Sequence, residues 1–370
     1  MEHIYRIIDT TLREGEQTPG VTFSLAEKKA ILAGLVAIGV HEAEIGISAP
    51  LAGQLDDLIR HCRRHHPQLR LALWCRCRPE DIAWAGRCRP DVLSLSIPVS
   101  DLHLNERLGK DRNWARAQMT SAIASALAAG MAVSIGFEDA TRADRSFLAE
   151  MAGLAEKTGA GRIRLADTVG IASPQTMAQL VRDIRQSVRQ AELAVHTHND
   201  FGMATANAIA ALEAGAAWVD ATVLGLGERA GCARLEEVAG YLSLVLGISG
   251  LAPDRLPPLA EYVASRQSLA VDPGRPLIGG RIFTCETGLH LQGLQVNPAT
   301  YEPYPPESVG SRRRLVFGAK CGRRALLQRL SHLGQRPDTN SLERGLAAIR
   351  QVPAAPGVSL TDADLIAAFC

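Results

Sequence analysis

The chain has 370 residues, 46% hydrophobic and 21% charged, a globular composition long enough for one domain of about 200 to 250 residues with something smaller behind it. Its 40 basic and 39 acidic residues leave a formal net charge of +1, a balance in which nothing points to a nucleic-acid or anionic-membrane binder. Partners must therefore be argued from sites.

An apolar strand is expected over residues 5–9, and what precedes it lacks the regions of a signal peptide, so a cytoplasmic protein is expected. Ser24-Leu-Ala-Glu27 reads as a capping box that opens a helix to about Ile38, and Gly39 stops it. Further strand cores follow at residues 42–47, 71–75, 92–97, 132–137, 162–166, 193–197 and 218–223, with alanine-rich helical stretches between and after them. The uncharged run 117–137 is about as long as a membrane helix. It carries Gln118, Thr120, Ser121, Ser125 and Gly130, however, and reads as a helix followed by a new strand. Eight cysteines scattered through a cytosolic chain are expected to be reduced. Cys75 and Cys77, one residue apart on a strand, would face the same side; metal or redox chemistry is open to them, and core packing is the expectation.

Eight strand–helix units in about 250 residues predict a parallel sheet closed into a (β/α)8 TIM barrel, class α/β, over residues 1–252. No glycine-rich dinucleotide fingerprint follows the first strand, which disfavours an open doubly wound sheet. Pro253, Pro257 and Pro258 mark a boundary, and residues 253–370 are expected to form a linker and small, mainly helical subdomains.

Active sites of such barrels lie at the C-terminal ends of the strands. Collected there are Asp9, Arg13, Glu14, Glu16 and Gln17 after strand one, Glu44 after two, Arg76 after three, Glu138-Asp139 after five and Asp167-Thr168 after six. His196-Thr-His198-Asn-Asp200 follows strand seven and Gly225-Leu-Gly-Glu-Arg-Ala-Gly231 follows strand eight. His196 and His198 are two apart on a strand, so both imidazoles would point into the mouth. A His-x-His pair is a weak metal signal by itself. A carboxylate from another strand end strengthens it, because two imidazoles and one carboxylate leave open positions on a cation, and Glu14 is the candidate third ligand.

Asp9-Thr-Thr-Leu-Arg-Glu-Gly-Glu-Gln17, His196-Thr-His-Asn-Asp200 and Gly225-Leu-Gly-Glu-Arg-Ala-Gly231 together resemble the signature of the metal-dependent Claisen-condensing TIM barrels, the isopropylmalate, homocitrate and citramalate synthases. Leu95-Ser-Ile-Pro-Val-Ser-Asp-Leu-His103, Phe137-Glu-Asp-Ala-Thr-Arg-Ala-Asp144 and Ala166-Asp-Thr-Val-Gly170 are similar to the homocitrate synthases of nitrogen-fixing bacteria, and the likeness spans roughly residues 5–335. The resemblance implies that Glu14, His196 and His198 bind one divalent metal ion, Mg2+ or Mn2+ ahead of Zn2+ or Co2+. It implies that a 2-oxo acid, 2-oxoglutarate, chelates that ion and condenses with acetyl-CoA, the thioester then being hydrolysed to homocitrate and CoA for nitrogenase cofactor assembly. Arg13 would stabilise developing oxyanions. Gln17 would line the pocket, and Asp9 would brace Arg13 or a metal water, or cap the strand end. His290 and Tyr301 match an acid/base pair assisted by Glu138, on subdomains that reach over a partner subunit's mouth, which implies a homodimer.

The pattern also departs from the family. Cys232 stands where isopropylmalate synthases and lyases carry Asn near the metal, Cys285 stands where His is common, and Phe317-Gly-Ala-Lys-Cys-Gly322 replaces a Gly-Lys-His-Ser-Gly segment. Ser134 and Ala194 occupy positions where lysine-pathway homocitrate synthases show Arg and Glu, so a second substrate carboxylate must be met elsewhere, with Arg76 and Thr168 as candidates. Isopropylmalate or citramalate synthesis is the nearest alternative, and lyase cleavage a further one. From another class stands a catalytically silent metal or thiol sensor built on Cys75, Cys77, Cys232, Cys285 and Cys321.

Overall fold

The computed structural model describes residues 5–49, 54–317, 322–351 and 360–369. It divides into two compact units, Met1–Val271 and Asp272–Cys370.

The first unit is a closed barrel of eight parallel strands, each hydrogen-bonded to its sequence neighbour, with the last pairing back on the first. The strands are β1 (Arg6–Asp9), β2 (Glu42–Ile47), β3 (Arg70–Arg76), β4 (Val92–Pro98), β5 (Ala132–Glu138), β6 (Arg162–Asp167), β7 (Glu192–Thr197) and β8 (Trp218–Ala221). The helices between and after them are α1 (Leu25–Ile38), α2 (Leu55–His65), α3 (Pro79–Cys88), α4 (Arg112–Ala128), α5 (Arg145–Thr158), α6 (Pro174–Arg185), α7 (Ala204–Glu213) and α8 (Leu235–Leu244). Ser24 and Glu27 form the expected capping box at the start of α1, and Gly39 closes the helix at φ 91°. A side chain at Gly39 would put Cβ 1.9 Å from Gly250 O, so the close approach of the two loops requires glycine there.

The run 117–137 divides into α4 and β5, and among the described residues no helix is long and apolar enough to cross a membrane. The proline-rich stretch expected as a linker starts a helix instead. Pro257 and Pro258 occupy the first turn of α9 (Leu256–Arg266), where a missing N–H costs nothing. Leu256, Leu259, Ala260 and Val263 of α9 are buried, with Leu259 against Gly34 of α1, and the expected division after residue 252 falls ahead of this helix.

Inside the barrel Trp218 packs with Ile8 and Ala194, and the guanidinium of Arg162 lies 4.6 Å from its ring centroid. Arg162 also donates to Ser134 Oγ (3.0 Å) and Glu42 Oε1 (2.5 Å). Ser134 and Ala194, which replace the lysine-branch Arg and Glu, are thus part of this packed interior.

The second unit holds β9 (Thr284–Cys285), paired in parallel with β10 (Arg314–Leu315), and helices α10 (Gly288–Val296), α11 (Arg323–His332), α12 (Thr339–Gln351) and α13 (Asp362–Phe369). Its own apolar core contains Leu291, Phe317, Leu326, Leu330, Leu346, Ile349 and Leu365. The replaced glycine-rich segment lies outside the described residues at positions 318–321.

Candidate active site

β1 ends at Asp9, whose carboxylate accepts from Thr11 N (3.0 Å) and Thr11 Oγ1 (2.9 Å). Of the expected roles for Asp9, the strand-end cap is the one its bonds fit; it does not brace Arg13. Burial, opposed by the Thr11 bonds and aided by the Glu236 and Asp220 charges, pushes its carboxyl up to about 7. Thr11 Oγ1 in turn accepts from Val223 N (2.9 Å), tying the first loop to the loop after β8. The N–H groups of Arg13 and Glu14 then both return to Thr10 O, a tight turn in which Arg13 and Glu14 are buried.

Glu14, His196 and His198 are brought together as expected. Glu14 Oε2 lies 3.9 Å from His196 Nε2, which lies 3.2 Å from His198 Nε2, and all three side chains are buried. β7 ends at Thr197, so His198 owes its orientation less to strand alternation than to an antiparallel bridge with Cys232, beside which Asn199 N donates to Gly231 O (2.9 Å). One donor atom each from Glu14, His196, His198 and Cys232 all lie within 4.8 Å of one another.

Two residues that no motif singled out complete the constellation. Asp220 Oδ2 accepts from His196 Nδ1 at 2.9 Å and from Arg164 Nη1 at 2.9 Å, and Arg164 Nη1 also reaches Glu44 Oε2 at 3.0 Å. An ionised carboxylate only accepts, so the His196 proton sits on Nδ1 and the Nε2 lone pair faces Glu14. Glu44, expected to bind substrate, has its second oxygen on Arg13 Nε (2.6 Å) and is fully buried. Burial disfavours its charge, but Arg164 and Arg13 outweigh that and hold its carboxyl down to about 2. Arg13 also pairs with Glu14. A buried relay thus runs Glu14, Arg13, Glu44, Arg164, Asp220, His196. The signal in the sequence was a charge inside an otherwise buried strand: Arg164 in Arg-Ile-Arg-Leu-Ala-Asp and Asp220 in Trp-Val-Asp-Ala.

The donor set fits a divalent cation. Burial opposes charge on Glu14, but Arg13 and the two imidazoles keep its carboxyl below the usual range. Burial, then His196, draws His198 down to about 3, so it offers a neutral imidazole. Room for the cluster depends on Gly227, where a Cβ would sit 2.8 Å from Cys232 Sγ and 3.2 Å from Glu14 Oε1.

Several of the remaining expected residues line two cavities of about 510 Å3 each in the first unit. Arg13 and exposed Gln17 line one with Ile45 and Leu55. Arg76 and Glu138 line the other with Trp74, Ser96 and Lys110. Arg76 is bidentate on Asp81 (2.6 and 3.1 Å), and Glu138 accepts from Arg107 Nη2 (2.9 Å) while meeting His103 Nδ1 at 3.1 Å. Thr168 Oγ1 accepts from Asp139 N (2.8 Å), and its carbonyl accepts from Arg229. In the second unit His290 and Tyr301 stack, ring centroids 4.1 Å apart, beside Cys285 in a cavity of about 230 Å3. Cys75 and Cys77 are packed into the core, and burial pushes the Cys75 thiol up to about 12, which leaves it inert at neutral pH. Cys321 lies outside the described residues.

The HMGL-like family model matches residues 5–261, and the model described as homocitrate synthase post-HMGL domain-like matches residues 277–355. A homocitrate synthase of Frankia alni is 43% identical over 335 residues, covering 89% of this chain and 93% of its own. The 2-isopropylmalate synthase 2 of Caldanaerobacter subterraneus subsp. tengcongensis is 39% identical, covering 89% and 85%. Among solved structures, the HMG-CoA lyase of Brucella melitensis superposes with a TM-score of 0.64 at 20% identity, over 72% of this chain and all of its own, a likeness of fold. With a family model across the whole barrel and relatives above 30% identity along most of its length, this chain belongs to the HMGL-like family of enzymes.

Proposed function

We propose that the protein is a homocitrate synthase, condensing acetyl-CoA with 2-oxoglutarate and hydrolysing the product thioester to homocitrate and CoA, in the service of nitrogenase cofactor assembly. The observation that carries the reading is the buried cluster of Glu14, His196 and His198 with the Arg13 guanidinium beside it. The post-barrel segment and the Frankia relative support homocitrate as product.

A divalent cation held by Glu14, His196 and His198 supplies, when bound, Lewis-acid polarisation of a keto group. The chain's own groups do the rest. Asp220 keeps His196 in the tautomer that presents Nε2, and Arg164 holds Asp220 in place. Arg13, its Nε anchored on Glu44, offers a fixed positive charge where the keto oxygen becomes an alkoxide as the acetyl methyl carbon attacks. His290 and Tyr301, with Glu138 assisting, are the proposed acid and base, removing the methyl proton and returning one to the alkoxide. Water then adds to the thioester carbonyl and CoA leaves as the thiol. We assign Gln17, Arg76 and Thr168 to substrate binding, and the active form to a homodimer.

The test is CoA release from acetyl-CoA across a panel of 2-oxo acids with Mg2+, Mn2+, Zn2+ and Co2+. 2-Oxoglutarate is expected to give the highest kcat/KM. A clear preference for 2-oxoisovalerate or pyruvate would reassign the enzyme to isopropylmalate or citramalate synthesis, and no turnover with any acid or metal would leave the sensor.

A further inference from the structure

We infer that Cys232 is a fourth side-chain ligand of the cation held by Glu14, His196 and His198, so that the site carries a sulfur donor and selects Zn2+ or Co2+ over Mg2+. The inference rests on the metal reading above and extends it to a residue of this chain that departs from the family pattern.

Geometry leads to it. Ligands around one tetrahedral cation at about 2.0 to 2.3 Å stand roughly 3.3 to 3.8 Å from one another. The 3.2 and 3.9 Å separations among Glu14, His196 and His198 bracket that range, and Cys232 closes the group with every donor inside 4.8 Å. Its sulfur lies 3.8 Å from His198 Nδ1, the other nitrogen of the ring whose Nε2 meets His196, so the thiol sits at the edge of the imidazole that joins the cluster.

The backbone holds the thiol there. Cys232 pairs with His198 in an antiparallel bridge, and its N–H donates to Gly225 O at 3.0 Å. Gly231, at φ 86°, permits this: a Cβ on it would meet Gly225 O at 1.9 Å. Across the cluster, Gly227 leaves bare the space between Cys232 Sγ and Glu14 Oε1. A cysteine used only for packing does not need glycines on either side to bring its sulfur among three other donors.

Chemistry then decides the metal. A carboxylate, two imidazoles and a thiolate form a borderline-to-soft set that matches Zn2+ or Co2+, whereas Mg2+ demands octahedral oxygen ligands. As the sulfur–metal bond forms, the thiol proton leaves to solvent. Four protein donors fill a tetrahedral shell, so a chelating oxo acid must raise the coordination number to five or six, which both metals allow.

The test uses the full-length protein, stripped of metal and reloaded with Co2+ or Zn2+, as wild type, Cys232→Ser and Cys232→Asn. In the wild type a near-ultraviolet sulfur-to-cobalt charge-transfer band is expected, and zinc X-ray absorption should find one sulfur at about 2.3 Å. Both signals should vanish in the variants. Zn2+ affinity should fall at least about tenfold with Mg2+ affinity little changed, since even partners one bond further from a metal are worth 10- to 100-fold. Cobalt bound through nitrogen and oxygen alone in the wild type overturns the inference and leaves the three-ligand site standing. Wild-type protein that binds no cation overturns both. Should the variants fail to fold, the wild-type spectra decide alone.

Discussion

Asp220→Asn tests whether the relay behind His196 matters to the metal centre. In the native protein one oxygen, Oδ2, accepts from both His196 Nδ1 and Arg164 Nη1 at 2.9 Å, while Oδ1 is buried without a hydrogen-bond partner. The amide keeps the shape, and its oxygen can take both bonds. Its NH2 must then occupy the buried Oδ1 position, which has no hydrogen-bond partner in the native protein. An unsatisfied buried donor costs about 1 to 3 kcal/mol. Arg164 also loses one of two counter-charges but keeps Glu44, so the full cost of about 3 to 5 kcal/mol for breaking a buried pair does not apply. Destabilisation of about 2 kcal/mol is expected, read by urea unfolding. Separately, His196 loses its anionic partner, and the loss of such a partner typically weakens metal binding about 10- to 100-fold. Calorimetric titration of the stripped protein with Zn2+ measures this directly. Metal affinity unchanged within twofold, in a variant that is destabilised as expected, would refute the claim that Asp220 acts through His196.

Arg13→Lys should fold and bind metal but lose roughly 100- to 1,000-fold in kcat, because an ammonium cannot hold Glu44 and still present a planar donor to an oxyanion; a change confined to KM would assign Arg13 to binding alone. The Asp9 carboxyl, raised from an ordinary 3.8 to about 7 in the fold, contributes stability that is full below about pH 4 and lost as pH rises through 7, because the unfolded chain ionises first. Asp9→Asn should therefore flatten that loss in urea midpoints measured between pH 4 and 8, and an unchanged slope would remove the assignment. Gly231→Ala, with Cβ driven against Gly225 O, should distort the loop bearing Cys232 and lower Zn2+ affinity; an alanine variant with wild-type affinity would show that this loop does not shape the site.

The barrel was legible because each unit signals itself locally. The capping box at Ser24, the stop at Gly39 and short apolar runs at fixed spacing depend on neighbours within one turn or one strand, and such signals survive without tertiary information. His196 and His198 were readable for the same reason, as was Glu14 in the loop after the first strand. What only the folded barrel decided is which side chains meet across it. Glu44 looked like a residue for substrate and Asp9 could have braced Arg13; in the fold Glu44 takes both arginines and Asp9 caps its own strand. Arg164 and Asp220 lie in unremarkable strands 56 positions apart, yet closing the sheet sets them 2.9 Å from each other and Asp220 equally close to His196. Cys232 followed a familiar motif by one residue, but its place among the donors comes from a backbone bridge to His198 across two loops. A linear pattern records a residue's type and period. The partners that neutralise a buried charge, and hence whether that charge serves the fold or the chemistry, are set by distances that exist only once the ring of strands is closed.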